Sequence, residues 1–367
     1  MAAAAQRRQL RVRQAILDMD EYVPVRPLEE LSRELGIAVG DIVKLDANEN
    51  PYGCSPRVRE AIAACDQYHI YPDPQQVELR AALARYAGVP AEWLLAGSGS
   101  DELIDLLIRL LVEPGDRVLD AVPTFLMYSF LAQIQGGVVV SVPRRDDFSL
   151  DLPALEAAID ERTRLLFVAS PNNPTGNTVP RSDVERLLAT GLVVVVDEAY
   201  YEFSGETVAG LVEQHENLVV MRTFSKWAGL AGMRVGYLIA SPELLRHLWK
   251  MKQPYNVNVA AQVAARAAVD DLPHIKRTIA AILEERSRLM ALLEQTPYLR
   301  PLPSQANFIF CHVAGRDART LRDDLRRQGV FIRHFNTPLL KNAVRISVGK
   351  PEQTERLRAA ISSGEQG

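Results

Sequence analysis

Leu192-Val193-Val194-Val195-Val196-Asp197-Glu198-Ala199-Tyr200 is five aliphatic residues running unbroken into two carboxylates. Alternation would mark a strand with one wet face. An unbroken aliphatic run marks a strand covered on both faces, the usual condition of a parallel sheet. The charge that ends it then stands at the carboxyl edge of the sheet, where open α/β sheets bind ligands. Similar runs at 94–96, 117–121, 137–142, 165–169, 218–223 and 235–240 read as further buried strands. Helical spacing lies between most of them, as with Leu103, Leu106, Leu107 and Leu110 in 101–111. The expected fold class is α/β: a large domain with a mostly parallel sheet sandwiched by helices, and right-handed crossovers.

After about Pro254 the texture changes. One long helical stretch, 259–293, leads to strands near 307–312, 330–333 and 343–348, with helices at 317–328 and 353–362. These predict a smaller α+β domain. The expected division is 1–43, an N-terminal segment packing with the small domain; 44–262, the large domain; and 263–367, the small one. At 367 residues the chain exceeds what one core usually organises.

Composition narrows the function. A net charge of −4 excludes a basic face of nucleic-acid-binding size, so any arginine that binds an anion does so locally. No apolar run reaches the length of a membrane span, and residues 1–13 lack the apolar stretch of a secretory signal. Cys54, Cys65 and Cys311 form no CxxC pair, and the six histidines have no ligand spacing. A cytoplasmic protein with no metal is expected.

Four polar segments stand where apolar strands end: Gly97-Ser-Gly-Ser-Asp-Glu102, Ser170-Pro-Asn-Asn-Pro-Thr-Gly176, Asp197-Glu-Ala-Tyr200 and Thr223-Phe-Ser-Lys226. The first opens a helix, whose free N–H groups and dipole favour an anion, although Ser100 or Asp101 could simply cap it. The second is a turn that could hold an amide donor at fixed geometry. The third resembles a Walker B strand, but the only Gly-Lys pair, Gly349-Lys350, lacks the loop such a protein needs. In the fourth, Lys226 lies among hydroxyls and apolar residues that favour a neutral, nucleophilic amine. Together these segments suit pyridoxal phosphate, with its phosphate, aldehyde, phenolic oxygen and pyridine nitrogen. Asp197 would keep that nitrogen protonated. Glu198 points the other way along an extended chain and reads as structural.

The ordered set GSGSDE, PNNPTG, DEAY, SK with Arg234 eight residues on, and Arg345 in VRISVG resembles the fold-type I aminotransferases over nearly the whole chain. The resemblance implies that Lys226 holds the cofactor as a Schiff base and moves the substrate's α-proton. It implies that Asp197 pairs with the pyridine nitrogen, and that Asn173 and Tyr200 bond the phenolic oxygen. Ser100, Asp101, Thr223, Ser225 and Arg234 would hold the phosphate, and Phe125 would stack on the ring.

Tyr22-Val-Pro, LDANENPYG at 45–53, Tyr71-Pro-Asp73 and Phe331-Ile-Arg-His-Phe335 are most similar to the histidinol-phosphate aminotransferase family. That implies a homodimer in which Tyr71 reaches the neighbouring subunit's cofactor phosphate. It also implies that Tyr22, Arg333 and Arg345 grip the substrate phosphate, with Arg345 taking the α-carboxylate of glutamate. Val25 stands where that family usually has glycine. The alternatives are an aromatic or broad-range aminotransferase, a threonine-phosphate decarboxylase, a silent pyridoxal-binding regulator, and an NAD enzyme, the last disfavoured by Glu102 at the third glycine of the fingerprint.

Overall fold

A computed structural model describes residues 10–19 and 26–363. Tyr22 and Val25 lie outside the described residues. In chain order the strands are β1 (Val43–Leu45), β2 (Leu94–Gly97), β3 (Arg117–Val122), β4 (Val138–Pro143), β5 (Thr163–Ala169), β6 (Val193–Asp197), β7 (Leu218–Thr223), β8 (Gly236–Ile239), β9 (Leu299–Pro301), β10 (Phe308–Val313), β11 (Val330–His334) and β12 (Ala343–Ser347).

Seven of them form one sheet, ordered β2-β8-β7-β6-β5-β3-β4. Only β8 runs against its neighbours; every other pairing in the sheet is parallel. The aliphatic runs are covered on both faces, as their lack of alternation requires. Val194, Val196, Leu166 and Val168 enter one apolar cluster, whereas Val195, Leu165 and Phe167 enter another on the opposite face. The expected mostly parallel α/β sheet is the one observed.

The second sheet is ordered β1-β11-β12-β10-β9. Helices Leu272–Glu294, Ala318–Arg327 and Pro351–Ser363 pack on it. Here three expectations need correction. β1 belongs to this smaller sheet, pairing in parallel with β11 at Val43↔Val330 through Leu45↔Ile332, so the large unit does not begin at residue 44. Three residues are too short to reveal which sheet they join. The stretch 259–293 is also two helices, Val259–Val269 and Leu272–Glu294. Pro273 lies in the first turn of the second helix, where its missing N–H is harmless but a continuous helix would be broken. The first of these helices packs on helices Pro56–Ala63 and Val77–Ala87, so a boundary at 262 cuts an element of the large unit.

Of the N-terminal segment, helix Leu28–Leu35 packs on the small sheet through Leu31 and Phe331. Helix Gln14–Leu17 lies instead beside helix Met127–Gln135, which flanks the large sheet. Among the described residues no helix is long and apolar enough to cross a membrane.

Candidate active site

β6 delivers Asp197 as its last residue, buried at the carboxyl edge of the large sheet. Burial pushes its carboxyl up to about 6, opposed by hydrogen bonds that favour the charged form. Tyr128 donates its hydroxyl to Oδ2 at 2.5 Å, and the Ala199 N–H donates to Oδ1 at 3.0 Å. Glu198 faces away, as the strand alternation requires. It forms a buried ion pair with Arg222 at 2.8 Å and accepts the Val208 N–H, so it is structural.

β7 and β8 pair at Thr223↔Gly236, and β8 and β2 at Gly97↔Gly236. Three sequence-distant segments thereby meet at one corner. A Cβ at Gly236 would come 2.7 Å from the Ser100 nitrogen, so glycine there lets helix Gly99–Leu111 bring its N-terminus against the sheet. Gly99 has φ +78, and a side chain on it would collide with the Arg234 guanidinium. Arg234 itself adopts φ 54, uncommon for a residue with a Cβ, and donates to Asp101 at 2.7 Å. Thr223 and Ser225 hydroxyls lie 3.0 Å apart beside them. Glu102, which breaks the glycine fingerprint, accepts the Ser98 N–H. The first-turn N–H groups after it have no intrahelical acceptor. Together they make a cradle of N–H, hydroxyl and guanidinium donors, the chemistry a phosphate monoester needs.

Lys226 follows that cradle and donates its Nζ to the Ala47 carbonyl at 3.3 Å, with the Tyr200 ring centroid 5.9 Å away. Ala47 lies in the 45–53 segment, which holds several parts of the site at once. Asn48 donates to the Tyr200 hydroxyl at 3.0 Å, accepts from Ser347 at 2.9 Å, and its carbonyl accepts from Asn307. Asn50 donates to the Trp227 carbonyl, the residue after the lysine. Trp227 is fully buried and stacked on Tyr86, a packing role.

Arg345 donates Nη1 to Asn173 at 2.5 Å and Nη2 to the Asp46 carbonyl at 2.7 Å. That bond uses the Asn173 amide oxygen and leaves its amide nitrogen as the donor. Arg333 sits directly opposite Arg345 across β11 and β12, on the same face. Like charges so placed repel, and an anion between them would relieve the repulsion. Arg333 also lines a cavity of about 140 Å³ with Arg26, Asp46, Arg322, Arg326 and His334. Asn172, the other asparagine of its turn, is wholly structural, bonded to Thr124, Pro123 and Thr175.

The structure thus gathers Lys226, Asp197, Tyr200 and Asn173 at the carboxyl edge of the large sheet, with Arg345 reaching Asn173 from β12 of the smaller sheet and Ser100, Asp101, Thr223, Ser225 and Arg234 forming the adjoining cradle. Phe125 stands edge-on to Tyr128 at 5.6 Å, close to Asp197. Tyr71 is not in this cluster. It is 77% exposed and stacked on Tyr255 at 4.4 Å, on the surface of the chain. The reading from sequence missed Tyr128 and Asn48. Tyr128 is three residues past Phe125 in PTFLMY, and Asn48 lies inside the quoted LDANENPYG, so both stood in view without a signal of their partners.

A buried carboxylate, a lysine amine, an amide and phenol pair, and an anion cradle are what pyridoxal phosphate requires of a protein. The comparisons agree with that fit. The family model described as aminotransferase class I and II matches residues 40–361. A histidinol-phosphate aminotransferase of Roseiflexus castenholzii is 49% identical over 355 residues, covering 94% of this chain and 96% of that protein. A chloroplastic histidinol-phosphate aminotransferase of Nicotiana tabacum is 49% identical over 353 residues, covering 95% of this chain and 86% of that protein. Among solved structures, histidinol-phosphate aminotransferase from Sinorhizobium meliloti, in complex with pyridoxal-5'-phosphate, superposes with a TM-score of 0.86 at 30% identity, covering 98% and 99% of the two chains. The chain described here belongs to the class I and II aminotransferase family.

Proposed function

We propose that this chain is a pyridoxal-phosphate-dependent histidinol-phosphate aminotransferase of histidine biosynthesis, exchanging an amino group between histidinol phosphate and 2-oxoglutarate. The observation that carries the substrate is the Arg333–Arg345 pair, a place for a second anion in addition to the cofactor's own phosphate; Arg345 donates to the Asp46 carbonyl, next to the Ala47 carbonyl that receives Lys226. The relatives' names point the same way.

The bound cofactor supplies an electron sink for the carbanion formed when an amine substrate loses its α-proton. The chain's residues do the rest. Lys226 would hold the cofactor covalently and, once freed by a substrate amine, its amine would take and return the substrate's α-proton. Asp197 keeps the pyridine nitrogen protonated. Asn173 and Tyr200 orient the phenolic oxygen, with Phe125 against the ring. Ser100, Asp101, Thr223, Ser225 and Arg234 anchor the phosphate. Arg345 takes the carboxylate of glutamate in one half-reaction and shares the substrate phosphate with Arg333 in the other. An amino donor and an amino acceptor that use one site in turn make the exchange ping-pong.

The deciding experiment is a single-turnover absorbance trace with histidinol phosphate and phenylalanine added separately. Rapid loss of the cofactor's visible band with the first and little change with the second supports the assignment. Equal or faster reaction with phenylalanine makes the enzyme an aromatic aminotransferase. Arg333→Gln is expected to lower kcat/KM for histidinol phosphate about 10- to 100-fold, the value of a charge-assisted bond, and to leave phenylalanine within about 3-fold. Equal losses on both substrates would remove Arg333 from the phosphate subsite.

A homodimer belongs to the same reading. Tyr71, Tyr68 and Ile70 are all more than half exposed, in one apolar stretch that a second copy would cover. If Tyr71 serves the partner's site, mixing Tyr71→Ala with Lys226→Ala protein restores activity, because the hybrid contains one intact site. No recovery after subunit exchange would place Tyr71 in its own chain's site or in none. A cytoplasmic location accords with three cysteines that form no disulfide.

A further inference from the structure

Asp197 is the acid that the proposed chemistry depends on, yet it is a buried carboxylate to which no cation among the described residues is bonded. Its two oxygens are served by one main-chain N–H and one phenol. The phenol is that of Tyr128, on helix Met127–Gln135, with no solvent exposure. Its ring lies flat on Phe167 of β5, centroids 4.6 Å apart and planes 2° from parallel. Phe125 meets it edge-on at 82°, centroids 5.6 Å apart. Packed by these contacts, the ring aims its hydroxyl at Oδ2.

We infer that Tyr128 is a positioning residue for the reaction, holding Asp197 as an oriented carboxylate so that it can keep a cofactor ring nitrogen protonated. The inference rests on Asp197 having that role.

The chemistry is one of preferential stabilisation. A donor bonded to a carboxylate favours the charged form over the neutral one, and a charge-assisted bond does so more strongly than a neutral bond. Burial works in the opposite direction at Asp197. The phenol remains a donor throughout, because burial and the adjacent carboxylate push its own ionisation far upward. Other charges act on the pair: Asp120 of β3, Arg144, Asp101 and Glu198. Asp120 has an oxygen with no hydrogen-bond partner. The Tyr128 hydroxyl donates to Asp197, while one oxygen of the second carboxylate goes unserved.

The test compares wild type, Tyr128→Phe, Phe167→Leu and Asp197→Asn, each loaded with pyridoxal phosphate labelled with ¹⁵N in the ring. The ring-nitrogen chemical shift is followed against pH, and the cofactor dissociation constant is measured. Tyr128→Phe deletes one oxygen and keeps the ring stack. It is expected to lose the ring-nitrogen proton at a pH lower by about one unit and to bind cofactor about 10- to 100-fold more weakly. In turnover, kcat should fall by a similar factor with KM for glutamate changed less than about 3-fold. Phe167→Leu disturbs the packing but keeps the hydroxyl, so its nitrogen titration should stay near wild type. An unmoved titration in folded Tyr128→Phe, while Asp197→Asn shifts it, would overturn the inference alone. An equal shift in Phe167→Leu would overturn it as well, by assigning the effect to packing. An unmoved titration in Asp197→Asn would instead remove the reading of Asp197 on which the inference stands. If Tyr128→Phe fails to fold, Tyr128→Met takes its place, and a wild-type titration in that folded variant, which has no donor, would also count against it.

Discussion

Lys226→Ala is expected to fold normally and to transaminate about 10⁴-fold more slowly or worse. The size follows from the two jobs given to one nitrogen. In the proposed mechanism it anchors the cofactor covalently and is the base for the α-proton. The structural cost is small, because Nζ makes a single 3.3 Å bond to the Ala47 carbonyl. Losing it should cost about 1 kcal/mol or less. Thermal melting and single-turnover absorbance on the same preparation separate the two effects. A variant that melts like wild type and shows no substrate-dependent absorbance change is the expected outcome. Normal turnover by Lys226→Ala would sink the proposed mechanism.

Asp197→Asn is expected to lower kcat by about 10²- to 10³-fold, the usual loss when one preorganised electrostatic group is removed. It should also stabilise the cofactor-free protein at neutral pH. Burial raises the folded-state carboxyl of Asp197 from 3.8 to about 6. Between those values the folded state holds a proton that the unfolded state has released, so stability falls as pH rises from about 4 to about 6. Above about 6 the folded protein carries the full cost of a buried anion; below about 4 that cost is absent. Asparagine has nearly the same shape and no charge. The variant should therefore melt higher than wild type at pH 7, and the two should converge near pH 4. Other buried acids, Asp120 among them, are common to both proteins and cancel. Identical pH-dependence of the two melts would show that the Asp197 carboxyl is not perturbed as described. A residue that lowers stability while supplying function is the expected pattern at an active site.

Much of this was legible in the sequence because the signals were local. A five-residue aliphatic run ending in Asp197, or Lys226 three residues past a strand end, carries its meaning in its own spacing. Helix and strand limits fell close to those expected, as with 218–223 for β7. The rest depends on partners far along the chain. Tyr128 meets Asp197 across 69 residues, and Asn48 meets Tyr200 across 152. A tyrosine in PTFLMY and an asparagine in LDANENPYG look like many others until the sheet brings those partners together. The three residues of β1 had no length in which to declare their sheet. The break at Asp270 and Asp271 failed for a different reason: periodicity continued across it, and only Pro273 marked the change.

The 45–53 segment has a mechanical consequence. Its first residue belongs to β1, and Asn48 is tied to Ser347 and Asn307 of the smaller sheet's strand ends. The same asparagine holds Tyr200, the preceding carbonyl receives Lys226, and Asn50 grips the carbonyl of Trp227. The segment therefore works as a linkage rod between two bodies. Any swing of the small sheet, including one drawn by an anion settling between Arg333 and Arg345, must shift the lysine's acceptor and the tyrosine's donor in the same stroke.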